Sequence, residues 1–294
     1  MHFVKYHGLG NDFIILEPET ASHPGFSIDA ALARALCHRG MGIGADGVML
    51  CAAPRVADAD VRMDLVNSDG SLPEMCGNGI RCLVKYAVDV AGFRRNPLRV
   101  ETPAGVLACA WREGAAGEGV VSVSVDMSRP RFDFAGVPFD VHHAALREDG
   151  LATLALDDRL GARTVVGLPV NTGNPHFVVF GDASRERALS DGPGLERHPA
   201  FPEKANIEMT EVLGDTHLRV TVWERGCGLT LACGTGATAA TAAAVRRGLV
   251  RADVPVQVDL PGGSLTITVA SDFSSARMDG PVAYAFRGEV PVSV

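Results

Sequence analysis

The chain has 294 residues, 47% hydrophobic and 21% charged, with a formal net charge of -8. That length suggests about two domains, each with its own core, and an acidic balance without a basic stripe argues against a nucleic-acid partner. No stretch approaches the ~20 apolar residues of a membrane span, and the seven cysteines, with no C-x-x-C pair, point to free thiols in a reducing cytoplasm rather than a disulfide framework.

The first segment alternates as a strand, and Met1 to Phe13 lacks the apolar core of a signal peptide. Gly8-Leu9-Gly10-Asn11-Asp12 then supplies turn chemistry before the apolar run Phe13 to Leu16. Ser27 is the expected N-cap of a helix from Ile28 to Arg39, with Gly40 at the C′ position. The glycine-rich loop Gly42-Ile43-Gly44-Ala45-Asp46-Gly47 precedes a strand, Val48 to Cys51, and lacks the βαβ context of a dinucleotide fingerprint. It reads as a loop packed close to a ligand or another backbone. Val61 to Val66 predicts a strand and Asn67 to Ser71 a tight turn. Cys76 opens a helix of about Gly79 to Val90, closed by Gly92. Val120 to Val125 predicts a further strand.

The second half repeats this plan. Strands are expected near Val165 to Val170, Phe177 to Phe180 and Leu218 to Trp223, and Cys233 opens a helix from Thr235 to Arg247, stopped by Gly248. That helix is rich in Ala and Thr and carries no charge before Arg246, so it has no solvated face and should be buried. Four landmarks recur in order: Gly10-Asn11 with Gly173-Asn174, Asn67 with Glu224, Cys76-Gly77-Asn78-Gly79 with Cys233-Gly234-Thr235-Gly236, and Thr102-Pro103 with Leu260-Pro261. The expected fold is α+β, with two pseudo-symmetric domains, each a mostly antiparallel sheet or barrel wrapped around one central helix. The expected boundaries are residues 1–129, completed by a C-terminal strand within 280–294, and residues 130–279.

A cysteine at a helix N-terminus sits against the positive end of the macrodipole and beside unpaired backbone N–H groups. The setting favours thiolate and builds an anion site in the same place. Two such mouths suit a reaction needing two thiols and one anion. A thiolate is a base and a thiol an acid. On opposite faces of one carbon they invert it, one removing a proton while the other delivers one. The α-carbon of an amino acid is a weak carbon acid, and helix N-termini aimed at its carboxylate stabilise the developing charge. No lysine motif for pyridoxal phosphate stands out, and nothing demands a metal; no cofactor is expected.

The phrases HGLGNDF (7–13), NSDGSLPEMCGNGIRC (67–82), NTGNPHFVVF (171–180), WERGCGLTLACGTGATAA (223–240) and VDLPGGSL (258–265) resemble the diaminopimelate epimerases, in family order and over nearly the whole chain. The resemblance implies a cofactor-independent isomerase that interconverts LL- and meso-2,6-diaminopimelate in lysine and peptidoglycan precursor synthesis. It implies Cys76 and Cys233 as the acid/base thiols and His176 with Glu224 as the pair adjusting their proton affinities. The backbone of Gly77-Asn78 and Gly234-Thr235 would hold the reacting carboxylate. Asn11, Asn67, Asn174 and Asn206 would bind polar ends of the substrate, and Glu224-Arg225 would read its distal amino-acid end. A small-molecule substrate, a cytoplasmic location and a homodimer, formed through the C-terminal strand near Phe286, complete the implied picture. Gly47 stands where some members carry Gln, and Gly228-Leu229-Thr230 where some carry Gly-Glu-Thr.

Other readings remain beside this one. Cys82 and Cys227 each lie near a candidate thiol, but C-x5-C is not a usual zinc spacing. Cys37, Cys51 and Cys109 fall in apolar elements and read as core. A thiol redox or metal-binding module, a silent fold relative acting as a binding protein, and a proline racemase-like enzyme for a simpler amino acid are the alternatives.

Overall fold

The computed structural model describes residues 1–17, 26–73, 76–127, 129–158 and 161–291. Glu74 and Met75, in the first cysteine motif, lie outside the described residues. The chain divides into two units, Met1–Val125 with Asp279–Val294, and Asp126–Met278.

The first unit runs β1 (His2–Gly8), β2 (Asn11–Leu16), α1 (Ala30–Cys37), β3 (Gly47–Ala52), β4 (Val61–Asn67), α2 (Gly77–Asp89), β5 (Leu98–Thr102), β6 (Gly105–Glu113) and β7 (Val120–Met127). β1–β2, β3–β4, β5–β6 and β6–β7 pair antiparallel, while β2–β3 and β4–β5 pair parallel. The strands enclose α2, which packs on β1, β2, β4 and β6. Every residue from Gly77 to Val88 is buried, including two cations. Lys85 Nζ donates to Asp89 Oδ2 at 2.7 Å and to Val120 O at 2.6 Å. Arg81 donates to Gly77 O at 3.1 Å and Asn78 Oδ1 at 2.8 Å. Such bonds are what make burial of these side chains tolerable.

The second unit contains β8 (Ala145–Leu146), β9 (Ala152–Asp158), β10 (Gly161–Asn171), β11 (Pro175–Phe180), α3 (Arg185–Glu196), β12 (Asn206–Gly214), β13 (His217–Glu224), β14 (Gly228–Leu229), α4 (Gly234–Arg246), β15 (Val256–Leu260), β16 (Gly263–Val269) and the first half of β17 (Ala276–Pro281). β10–β11, β12–β13 and β15–β16 are antiparallel, and β11–β12 and β13–β15 parallel. This is the first unit's sequence of pairing senses, repeated. α4 packs on β10 to β13, β15 and β16, and Gly234 to Ala244 are all buried. Small side chains allow that close approach. Thr238 and Thr241 donate their hydroxyls to Gly234 O and Ala237 O at 2.9 Å, so the buried threonines need no water. The final strand, β18 (Ala283–Glu289), belongs to the first unit and pairs antiparallel with β1.

The expected architecture is therefore the observed one, with differences at element ends. α1 begins at Ala30 rather than Ile28, because Asp29, not Ser27, caps it: Leu32 N donates to Asp29 Oδ1 at 2.7 Å. It ends at Cys37, and Gly40 is not its C′ residue. His38 Nδ1 instead accepts from Gly40 N and Met41 N and turns the chain there. α2 and α4 start at Gly77 and Gly234, before the expected Gly79 and Thr235, since each cysteine is itself the N-cap. Gly92 (φ 80°) and Gly248 (φ 66°) adopt the left-handed backbone expected of helix stops. Cys37 and Cys109 are core residues, whereas Cys51 is only half-buried. Among the described residues no helix is long and apolar enough to cross a membrane.

Candidate active site

In the first unit the half-buried Cys76 caps α2, its Sγ accepting from Gly79 N at 3.3 Å. A Cβ on Gly79 would crowd the mouth, standing 3.1 Å from that sulfur and 3.4 Å from Leu65 Cδ2. Beside the mouth, Asn78 Nδ2 donates to Asn11 Oδ1 at 2.9 Å. Asn11 Nδ2 in turn donates to Asp46 Oδ2 at 2.7 Å, and Arg39 bridges Asp46 and Asp12. The glycine-rich loop thus serves the site through Asp46, while Gly47 packs against backbone and core: a Cβ there would meet Leu65 Cδ1 at 3.0 Å and Val66 O at 3.1 Å. Asn67 ends β4, with Nδ2 donating to Ser71 Oγ at 3.0 Å across the turn.

In the second unit the buried Cys233 caps α4, accepting from Gly236 N at 3.4 Å, with Thr235 Oγ1 also 3.4 Å from its sulfur. Thr172 Oγ1 donates to Thr235 O at 3.1 Å and ties the first turn of α4 to the end of β10. His176 is completely buried, with Nδ1 2.7 Å from Glu208 Oε1 and Nε2 2.7 Å from Asn174 Oδ1. The carboxyl hydrogen-bonded to it is that of Glu208. Glu224 ends β13, as Asn67 ends β4, and accepts from Thr230 Oγ1 at 2.5 Å. Asn206 joins two segments: Nδ2 donates to Pro175 O at 3.1 Å and Oδ1 accepts from Arg225 N at 2.8 Å. Arg225 NH1 also donates to Glu203 O at 3.2 Å.

Burial dominates the electrostatics of this second mouth. It pushes the Cys233 thiol well above the usual thiol range, and the Glu224 carboxyl pushes it the same way. The Thr235 hydroxyl and the Gly236 N–H act in the opposite sense without offsetting them. Burial also raises Glu224, against hydrogen bonds from Thr230 and Cys233, and raises Glu208 against its bond to His176.

The first unit thus gathers Cys76, Gly77, Asn78 and Asn11 at one helix mouth, with Asn67 at the end of the adjoining strand. The second gathers Cys233, Gly234, Thr235, Glu224, Asn174 and His176. Among the described residues no group of three or more His, Cys, Asp or Glu side chains is placed to hold a metal ion.

Three residues of this machinery were not singled out from sequence. Asp46 holds Asn11. Glu196, buried, accepts from Trp223 Nε1 at 2.9 Å and Gly226 N at 3.0 Å, fixing the loop that carries Glu224 and Arg225. Glu208 holds His176.

The sequence model of the diaminopimelate epimerase family matches residues 3–132 and 168–285. A diaminopimelate epimerase from Desulfitobacterium hafniense is 41% identical over 289 residues, 98% of this chain and 97% of that protein. The enzyme of the same name from Synechocystis is 40% identical over 293 residues, 99% of each chain. Among solved structures, a probable proline racemase from Agrobacterium radiobacter (TM-score 0.67, 13% identity, 99% of this chain and 93% of that one) shares the fold. So does a PhzF-family phenazine biosynthesis protein from Bacillus anthracis (TM-score 0.65, 17% identity, 99% of each chain). At two-fifths identity to named members along almost its full length, the chain belongs to the diaminopimelate epimerase family.

Proposed function

We propose that the chain epimerises LL- and meso-2,6-diaminopimelate by a two-base mechanism at Cys76 and Cys233, in lysine and peptidoglycan precursor synthesis. The observation that carries this reading is the matched pair of helix mouths: one cysteine caps the buried central helix of each unit, at the same point in a repeated order of elements. One sulfur, as thiolate, takes the α-hydrogen as a proton, and the C–H electron pair passes into the carboxylate. The other, as thiol, gives its proton to the opposite face, and the two sulfurs end with exchanged protonation. The backbone at Gly77-Asn78 and Gly234-Thr235 receives the carboxylate, where helix-end dipoles offset the growing charge. Cys233, held as a thiol by burial, is the proton donor of the resting pair.

Arg225 pairs with the distal carboxylate, and Asn11, Asn67, Asn174, Asn206 and Glu224 take the remaining polar atoms. The two epimerase domains comprise residues 1–129 with 280–294, and 130–279. The enzyme works in the cytoplasm as a homodimer joined along β18, where Tyr284 and Phe286 stand exposed. A racemase acting on a simpler amino acid draws support only from fold neighbours at low identity.

The test is solvent deuterium uptake at the α-carbon. LL- and meso-diaminopimelate should exchange, the DD isomer, lysine, proline and alanine hardly at all, and Cys76→Ala and Cys233→Ala should each abolish epimerisation with an unchanged circular dichroism spectrum. Near-normal turnover by either single variant would sink the two-base reading.

A further inference from the structure

Glu208, on β12, is fully buried, and its two oxygens are unequally served. Oε1 lies 2.7 Å from His176 Nδ1, while Oε2 has no hydrogen-bond partner among the described residues. On the far side of the ring, His176 Nε2 lies 2.7 Å from Asn174 Oδ1. An amide oxygen only accepts, so Nε2 carries a hydrogen. Nδ1 then either donates to a Glu208 carboxylate or accepts from a Glu208 carboxylic acid.

The first arrangement makes an imidazolium and leaves half of an ionised carboxylate buried without a partner, which is the costly choice. The second leaves only a neutral carbonyl oxygen unpartnered. The first turn of α4 supplies no partner to Oε2, and its Gly236 N–H is given to Cys233 Sγ. Burial favours the acid as well. The titratable groups facing this carboxyl are His176 from β11, Glu224 from β13 and Cys233 at the start of α4. A Cβ on Gly236 would stand 2.9 Å from Glu208 Oε1 and 3.3 Å from Cys233 Sγ, so the acid and the thiol flank the same point.

We propose that Glu208 is a neutral carboxylic acid and a positioning residue: its Oε1–H donates to His176 Nδ1, Nε2–H donates to Asn174 Oδ1, and the Asn174 amide is thereby turned to present its NH2 group to the substrate. This rests on the reading of Asn174 as a substrate-binding residue. A donor at that place suits a carboxylate oxygen, whereas the flipped amide would suit an ammonium. The neutral acid also places no second charge beside Cys233, leaving Glu224 as the carboxyl whose ionisation the thiol senses.

The experiment has two arms. In the first, nitrogen-15 NMR of histidine-labelled protein, with His176 assigned by loss of its signals in His176→Asn, reads the ring directly and needs no turnover. The expected result is a neutral ring carrying its hydrogen at Nε2; an imidazolium signature overturns the proposal even if the enzyme epimerises diaminopimelate normally. In the second arm, Glu208→Leu should raise KM for diaminopimelate about tenfold with kcat changed less, the effect of one misdirected hydrogen bond. Glu208→Gln, whose NH2 can donate to Nδ1 as the acid does, should rescue most of that loss. Equal impairment of the two variants, each checked for native circular dichroism, overturns it.

Discussion

Asn78 Nδ2 donates to Asn11 Oδ1 at 2.9 Å, tying the first turn of the helix opened by Cys76 to the start of β2. Asn11 is fixed from its other end by Asp46, so its amide is oriented before any substrate arrives. Asn11→Ala should therefore lower kcat/KM by about 10- to 100-fold, the equivalent of roughly 1–3 kcal/mol for a lost polar contact, with KM carrying most of the change. Steady-state kinetics on LL-diaminopimelate check this; an unchanged KM would remove Asn11 from the binding site.

Arg225 is held at its backbone by Asn206 and at its guanidinium by Glu203 O. A planar fork so placed suits a bidentate pair with a carboxylate, which an ammonium cannot reproduce. Arg225→Met should cost about 3 kcal/mol or more, a factor of ~10² in kcat/KM, and Arg225→Lys should recover only part of it. If the Met variant binds diaminopimelate as tightly as the wild type by calorimetry, the distal carboxylate is read elsewhere.

The Cys233 thiol is raised well above the usual range, first by burial and then by Glu224. Raised affinity for a proton means that the thiol stays protonated through neutral pH. As pH rises Glu224 ionises first, and its charge then pushes the thiol higher still. Alkylation of Cys233 by iodoacetamide, followed by peptide mapping, should begin only above the ordinary thiol range. In Glu224→Gln the midpoint should move to lower pH. A midpoint that stays put, or rises, contradicts the electrostatic coupling.

Glycine to alanine inside a helix ordinarily stabilises by about 0.5–1 kcal/mol. At Gly236 the sign should reverse, since a Cβ would stand 2.9 Å from Glu208 Oε1 and 3.3 Å from Cys233 Sγ. Gly236→Ala should lower Tm and kcat together, whereas a raised Tm with full activity would mean that the acid and the thiol have room to yield.

The helix mouths were legible from sequence because a cysteine followed by two glycines and a helical run states its own geometry. The duplication was legible for the same reason, and the repeated order of strand-pairing senses follows it. The ends of α1 were not, because Ser27 and Asp29 are both good caps two residues apart and only the fold decides between them. Glu208 was hidden differently. β12 is buried on both faces at its start, so no polar–apolar alternation marks an acid there as unusual. Asp46 and Glu196 act by holding other residues, a role that leaves no motif until the partners are in place.

The pairing of β1 with β18 has a consequence for how the chain is made. Residues 2–8 leave the ribosome long before their partner strand, residues 283–289, has been made. The intervening unit, Asp126–Met278, is continuous in sequence and can complete its own sheet while synthesis proceeds. The unit that contains β1 can thus be completed only after the intervening unit has been made, and until then β1 carries an unsatisfied edge open to wrong pairing.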